Sequence, residues 1–310
     1  MQIYLAAVYT NSYLRGQRLY EDFTDFEKNL IDTKVEKHNI LESWHYVGKQ
    51  KYVDEMRANA ARIFLDSGAF SAHTLGVELK VSDYCEYIQR NQDILRVEDG
   101  VVMASVLDGI GDPLQTYRNQ YEMELRGFRP LPCFHAGEDE RYLEHYVKEY
   151  PYITLGGMVG SSTKQLQIWL DRIWDKYLVD GSGRARLKVH GFGITSVPLM
   201  ERYPWYSCDS SSWIQSTSFG TVVTPKYGPI SVSEKSPSRH DSGQHITTLS
   251  AIEQDHVLRY LEEQGFTLER LSTVYQSRAA YNLWAYTVLE TIVNASKNET
   301  FRRQLQELFE

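Results

Sequence analysis

The sequence predicts an α/β fold: a (β/α)8 TIM-type barrel followed by a C-terminal helical extension. Three observations predict it. Short apolar runs alternate with longer amphipathic stretches along most of the chain. About eight of those runs read as strands, and most are followed by a helical pattern. No GxGxxG turn marks the dinucleotide-binding type of open doubly wound sheet. The barrel is expected over residues 1–245, with barrel-closing and C-terminal helices over 246–310.

The expected strands are residues 3–9, 63–65, 101–107, 131–134, 152–155, 187–192, 205–208 and 221–224. Each is rich in β-branched or aromatic residues and ends near Gly, Pro, Asp or Ser. The expected helices between them are 42–59, 81–95, 113–126, 139–149 and 163–178. The third opens with Asp112-Pro113, a cap followed by a first-turn proline. Beyond Ser250 the pattern becomes wholly helical, over 252–263, 268–275, 279–295 and 300–309. Residues 224–245 are rich in Ser, Pro and Gly without periodicity, and read as one long loop.

Composition removes several classes. The chain has 310 residues with a net charge of −8, which argues against a generally basic nucleic-acid coat. No apolar run approaches the ~20 residues of a membrane span, so no membrane partner is expected. The three cysteines, Cys85, Cys133 and Cys208, are scattered with no CxxC pair. A disulfide framework or cysteine zinc site is not expected, and a reducing cytoplasm fits best.

In a barrel, catalytic residues come from the C-terminal ends of strands. The residues after the expected strands are Asp66-Ser67-Gly68-Ala69-Phe70, Asp108-Gly109, His135-Ala136-Gly137, Gly156-Gly157-Met158, His190-Gly191 and Asp209-Ser210. One such end is explained by turn or cap chemistry alone. Their repetition at one face points to a shared pocket.

These motifs resemble the tRNA-guanine transglycosylase superfamily, and within it the phage-type deazapurine-in-DNA enzymes. Asp66-Ser67-Gly68-Ala69-Phe70 is similar to the family's Asp-Ser-Gly-Gly-aromatic motif. Leu155-Gly156-Gly157-Met158-Val159-Gly160 is similar to its GGLAVG loop. Val189-His190-Gly191-Phe192-Gly193 resembles its LMGVG strand, and Cys208-Asp209 its aspartate. The resemblance covers roughly residues 60–215 and implies base exchange: guanine leaves a nucleotide and a free 7-deazaguanine enters.

Two carboxylates suit that chemistry, one trapping the anomeric carbon and one handling the base proton. The residues alone give the pair; the resemblance implies Asp209 as nucleophile and Asp66 as general acid/base. It further implies that Asp108 accepts from the base N1–H and amine, that Gly156 and Gly157 admit backbone contact, and that Ser67 and Phe70 line the base. His135 stands where the family has a glutamine, and His190 where it has a stacking methionine. No metal, ATP or redox cofactor is implied.

Nothing after Cys208 is a cysteine, and His240 and His245 alone do not make a zinc site. That absence, with the short chain, favours DNA over tRNA as substrate. Residues 183–240 hold seven basic residues against three acidic, a net of +4 that leaves −12 elsewhere. Lys226, Lys235 and Arg239 are the expected phosphate contacts. Tyr203, Trp205, Tyr206, Trp213 and Tyr227 are candidates to wedge or stack against a flipped nucleotide. The rivals are the same enzyme acting on RNA, and a metal-dependent barrel hydrolase using His135, His190, Asp108 and Asp209. Against the latter, the end of the first strand, residues 8–12, carries no HxH pair.

Overall fold

A computed structural model describes residues 1–10, 22–31 and 38–303. Its centre is a seven-stranded parallel sheet built from β1 (Gln2–Ala6), β2 (Asn39–Ser43), β3 (Ile63–Asp66), β6 (Cys133–His135), β7 (Tyr152–Gly156), β8 (Lys188–Gly191) and β9 (Ser207–Ser210). The order is β3-β2-β1-β9-β8-β7-β6. Leu41 pairs with Phe64, Tyr4 with Asp209, and Thr154 with His190, so all strand ends carry their loops to one side. Two small antiparallel pairs complete the strands: β4 (Val97–Glu98) with β5 (Val101–Val102), and β10 (Thr221–Thr224) with β11 (Gly228–Ser231).

The sheet is a half-barrel rather than the closed eight-stranded barrel expected. The expected eighth strand, 221–224, belongs to the separate β10–β11 hairpin. Residues 101–107 do not form one strand either, because Val101 and Val102 are drawn into the β4–β5 hairpin. Residues 103–106 still bond both edges. Leu65 N donates to Met103 O (2.9 Å) and Ser105 N to Leu65 O (2.9 Å) on one side. Leu131 N donates to Ala104 O (2.8 Å) and Val106 N to Leu131 O (2.9 Å) on the other.

Period-2 alternation puts Tyr4, Leu41, Phe64, Met103, Leu131 and Tyr152 in one buried cluster. The opposite faces of the strands join the outer helices in the main core, which includes the fully buried Trp174, Trp205 and Trp213. Burying large aromatic rings supplies most of the hydrophobic stabilisation of such a layer. Tyr203, Trp205 and Trp213 are therefore core, not wedges. Tyr206 reaches Glu98 at the strand starts (3.0 Å), which leaves Tyr227 exposed among the five candidates.

The outer helices begin where their caps dictate. The Asp112 side chain accepts from Gln115 N ahead of Pro113–Leu125, with proline in the first turn. Asp139 caps Glu140–Glu149, and Ser162 with Gln165 forms a capping box on Thr163–Ile173. That helix then widens into a π turn over Trp174–Leu178.

One expected helix, 42–59, is wrong at its start. Its first residues belong to β2, followed by helices Trp44–Val47 and Gln50–Ala58. Glu42 is a buried carboxylate that accepts from Tyr9 N (2.6 Å), so a polar residue sits on the core side of a strand and hides its pattern.

Helices Ala251–Glu263, Leu268–Thr273 and Tyr275–Ser296 form the tail. They share a second core with the β10–β11 hairpin through Val222, Ile230, Val257, Leu261, Phe266 and Tyr281. The expected loop 224–245 is thus partly strand. Residues 300–303 are not helical, and 304–309 lie outside the described residues, as do positions 11 and 12 at the expected end of the first strand. Among the described residues no helix is long and apolar enough to cross a membrane. The three cysteines are free and buried.

Candidate active site

Asp66 ends β3. Its Oδ2 accepts from Ser43 Oγ (2.7 Å) and Gly68 N (3.0 Å), and its Oδ1 from Ser105 Oγ (3.4 Å). Gly68 takes φ +74°, and a Cβ there would lie 2.6 Å from His45 Cβ, so the turn that feeds a backbone N–H back to Asp66 requires glycine. Burial raises the Asp66 pKa from its ordinary 3.8 to about 6, with the charges of Asp108 and Asp209 pushing the same way against the Ser43 and Gly68 bonds. That coupling brings the three predicted aspartates together at one end of the sheet.

A raised carboxyl pKa has a stability consequence. Between pH 3.8 and about 6 the folded chain holds a proton that the unfolded chain has lost. Stability from this group therefore falls as pH rises through that window. Asp66→Asn removes the ionisation while its amide oxygen still accepts from Ser43 and Gly68. It is expected to stabilise the protein above pH 7 by roughly 1–3 kcal/mol. Part of the residue still meets solvent, so the smaller figure applies. The gain should vanish near pH 4; thermal melts of both proteins across pH 4–8 measure it, and a pH-independent difference would contradict it.

Asp209 lies within β9 rather than after it, and is buried. Its Oδ1 accepts from Gly193 N (2.9 Å) and meets His190 Nε2 (3.3 Å). Behind it His190 Nδ1 meets Ser207 Oγ (2.7 Å), which meets Tyr152 OH (2.8 Å). His190 is 0% exposed, packed edge-on against Phe64 and Phe192. It therefore supports Asp209 and presents no open face for a base. Ser67 is also fully buried: its N–H donates to Ser105 Oγ (3.1 Å) and its hydroxyl accepts from Ala69 N (3.4 Å). Both residues sit one layer behind the place expected of them. Phe70, by contrast, is 63% exposed on helix Ala69–Thr74.

Asp108 and His135 face each other, Oδ2 to Nε2, at 3.6 Å. His135 Nδ1 meets Glu138 Oε1 (3.1 Å), and its backbone N–H donates to Glu138 Oε2 (3.0 Å). Burial works against a charged His135, but the Cys133 sulfur and the Asp108 and Glu138 carboxylates outweigh it and raise its pKa. Burial also pushes the Cys133 thiol up to about 11. Gly156 is buried at the end of β7; a Cβ there would come within 2.7 Å of His135 Cδ2 and 3.2 Å of Cys133 Sγ. Gly157 is exposed at φ +70°, its hypothetical Cβ 2.9 Å from Ala136 N. The glycine pair is thus what lets the β6 and β7 ends approach.

A cavity of about 410 Å³ opens beside Asp108, with Ala69, Ala72, Leu107, Gly109 and Asn119 in its wall. Cavities of about 650 and 850 Å³ lie at the opposite end, where strands begin, lined by residues such as Glu98, Tyr152 and Lys188, or Gln2 and Arg186. They are larger but hold none of the strand-end carboxylates.

The positive window 183–240 does not form one patch. Arg184, Arg186 and Lys188 line the cavities at the strand starts, and Lys188 pairs with Asp99 (2.7 Å). Arg202 pairs with Asp171 (2.7 Å). Lys226, Lys235 and Arg239 are exposed on the hairpin and the segment after it, and no described contact joins them to the carboxylates. Sequence reasoning also missed the supports Ser43, Ser105, Glu138 and Ser207. Only Glu138 left a signal, three residues after His135 at a strand end.

No family model matches the chain, and no curated protein does.

Proposed function

We propose that the protein is a DNA-guanine transglycosylase, exchanging guanine in DNA for free 7-deazaguanine (7-cyano-7-deazaguanine or a relative). What supports it most is the pair Asp66 and Asp209: two carboxylates on β3 and β9 at the same end of the sheet, whose charges act on one another and one of which keeps a proton up to about pH 6. The motif resemblance supports the substrate class.

In this reading an Asp209 oxygen attacks the anomeric carbon. The glycosidic bond breaks, its electron pair leaves with guanine, and the Asp66 carboxyl gives the departing base a proton. The incoming base then returns a proton to the Asp66 carboxylate, its nitrogen bonds the anomeric carbon, and the Asp209 ester bond breaks. Atoms and charge balance without oxidant or nucleotide triphosphate. Asp108 would read the base edge beside the cavity, with Phe70 on its face. A cytoplasmic setting, that of the host if the chain is phage-borne, and a genome resistant to restriction go with this reading.

The test supplies 7-cyano-7-deazaguanine with DNA or tRNA, digests each to nucleosides and weighs them. The deazaguanine is expected in DNA; incorporation into tRNA alone would overturn the substrate. Lys226, Lys235 and Arg239 are proposed to contact phosphates. Replacing all three by alanine should reduce the slope of log affinity against log salt by about 3. An unchanged slope would remove them from the interface.

A further inference from the structure

Cys133 and His135 are two apart on β6, so their side chains leave the same face of the strand. Asp108 meets them from the adjoining segment. His135 Nε2 lies 3.5 Å from Cys133 Sγ and 3.6 Å from Asp108 Oδ2, and one ligand atom from each of the three falls within 4.8 Å of the others. Four-coordinate zinc, with bonds of about 2.3 Å to sulfur and 2.0–2.2 Å to nitrogen or oxygen, spaces its ligands by about 3.3–3.6 Å. The separation of Nε2 from Oδ2 is long for a hydrogen bond between an imidazole and a carboxylate, yet ordinary for two ligands of one ion.

Two further observations point the same way. Glu138 Oε1 accepts from His135 Nδ1–H, which leaves Nε2 as the ring atom that faces Asp108 and Cys133 and that an ion would take. A carboxylate behind a histidine in this manner is the usual outer support of a metal ligand. Independently, Asp108 Oδ1 is buried with no hydrogen-bond partner, on a side chain only 8% exposed. A carboxylate left in that state is costly unless a cation or ligand completes it.

We propose that Asp108, Cys133 and His135 form a site for a zinc-class divalent cation, with one coordination position left for water or a ligand. Sulfur, imidazole and carboxylate together suit zinc or cobalt, not magnesium or calcium. The sequence hid this site because its cysteine and histidine are separated from the aspartate by a whole helix. The proposal does not rest on base exchange.

The test strips the full chain of metal with a chelator and titrates it with cobalt(II) and then zinc. One ion per chain is expected, with a cobalt–thiolate charge-transfer band that zinc abolishes. Cys133→Ser should lose the band and Cys85→Ser keep it; Glu138→Gln should weaken binding about 10–100-fold. A folded, metal-free wild type that gives no such band overturns the proposal, as does a band that survives Cys133→Ser. Base exchange is assayed in parallel on the same preparations. Metal binding without exchange defeats the transglycosylase reading alone; exchange without metal binding defeats this proposal alone.

Discussion

Asp209→Asn is expected to lower base exchange by about 10⁴-fold or more. The amide oxygen still accepts from Gly193 N–H, so the fold has no reason to change. What disappears is the carboxylate proposed to attack the sugar. Two measurements separate this from a structural defect. The thermal midpoint should stay within about 2 °C of wild type, since a 1 kcal/mol change would move a chain of this size by only a few degrees. A protein–DNA adduct stable to denaturing gel electrophoresis should form with wild type and be missing in the variant. Exchange retained at wild-type rate would end the nucleophile assignment.

Asn282→Leu is expected to cost about 3–5 kcal/mol of stability. Asn282 is fully buried in the long helix Tyr275–Ser296. Its Nδ2 donates to Trp213 O (3.1 Å), Thr217 Oγ1 (2.8 Å) and Thr221 O (3.0 Å), and its Oδ1 accepts from Val223 N (2.7 Å). One side chain thus ties the helix after β9, the β10–β11 hairpin and the tail together. Leucine fills similar space, so no large cavity opens. The buried Trp213 carbonyl and Thr217 hydroxyl and the partly buried Val223 N–H and Thr221 carbonyl each lose a partner, at about 1–3 kcal/mol for a group left unpaired, the smaller figure holding where solvent or another bond remains. Urea denaturation measures it; a midpoint equal to wild type would refute the accounting.

The parallel α/β layout was legible in the sequence because β1, β3, β7 and β8 are apolar runs bounded by turn residues. The gathering of Asp66, Asp108, His135 and Asp209 was legible for the same reason: each follows or ends such a run. β2 was not, because Glu42 and Ser43 are polar residues whose burial depends on partners far away in the chain, Tyr9 and Asp66. The expected eighth strand, 221–224, was misplaced because Val222 looks like any strand residue. Its burial among Ile230, Leu261 and Tyr281, rather than beside β9, is decided by tertiary packing. The charge window misled because neighbours in sequence, such as Lys188 and Lys226, end up at different places on the molecule.

The bond from Gly193 N–H to Asp209 comes from the main chain. Its donor is therefore untouched by any experiment that swaps side chains. A deep mutational scan would find Gly193 intolerant, since its φ of +67° disfavours any Cβ and one would meet Val159 at 3.2 Å. Such a scan would attribute the intolerance to shape alone. The donor itself is removed only by changing the backbone atom, for instance an ester in place of that amide introduced by chemical ligation. An orientation of this kind is hereditary through the path of the chain, not through the identity of a residue.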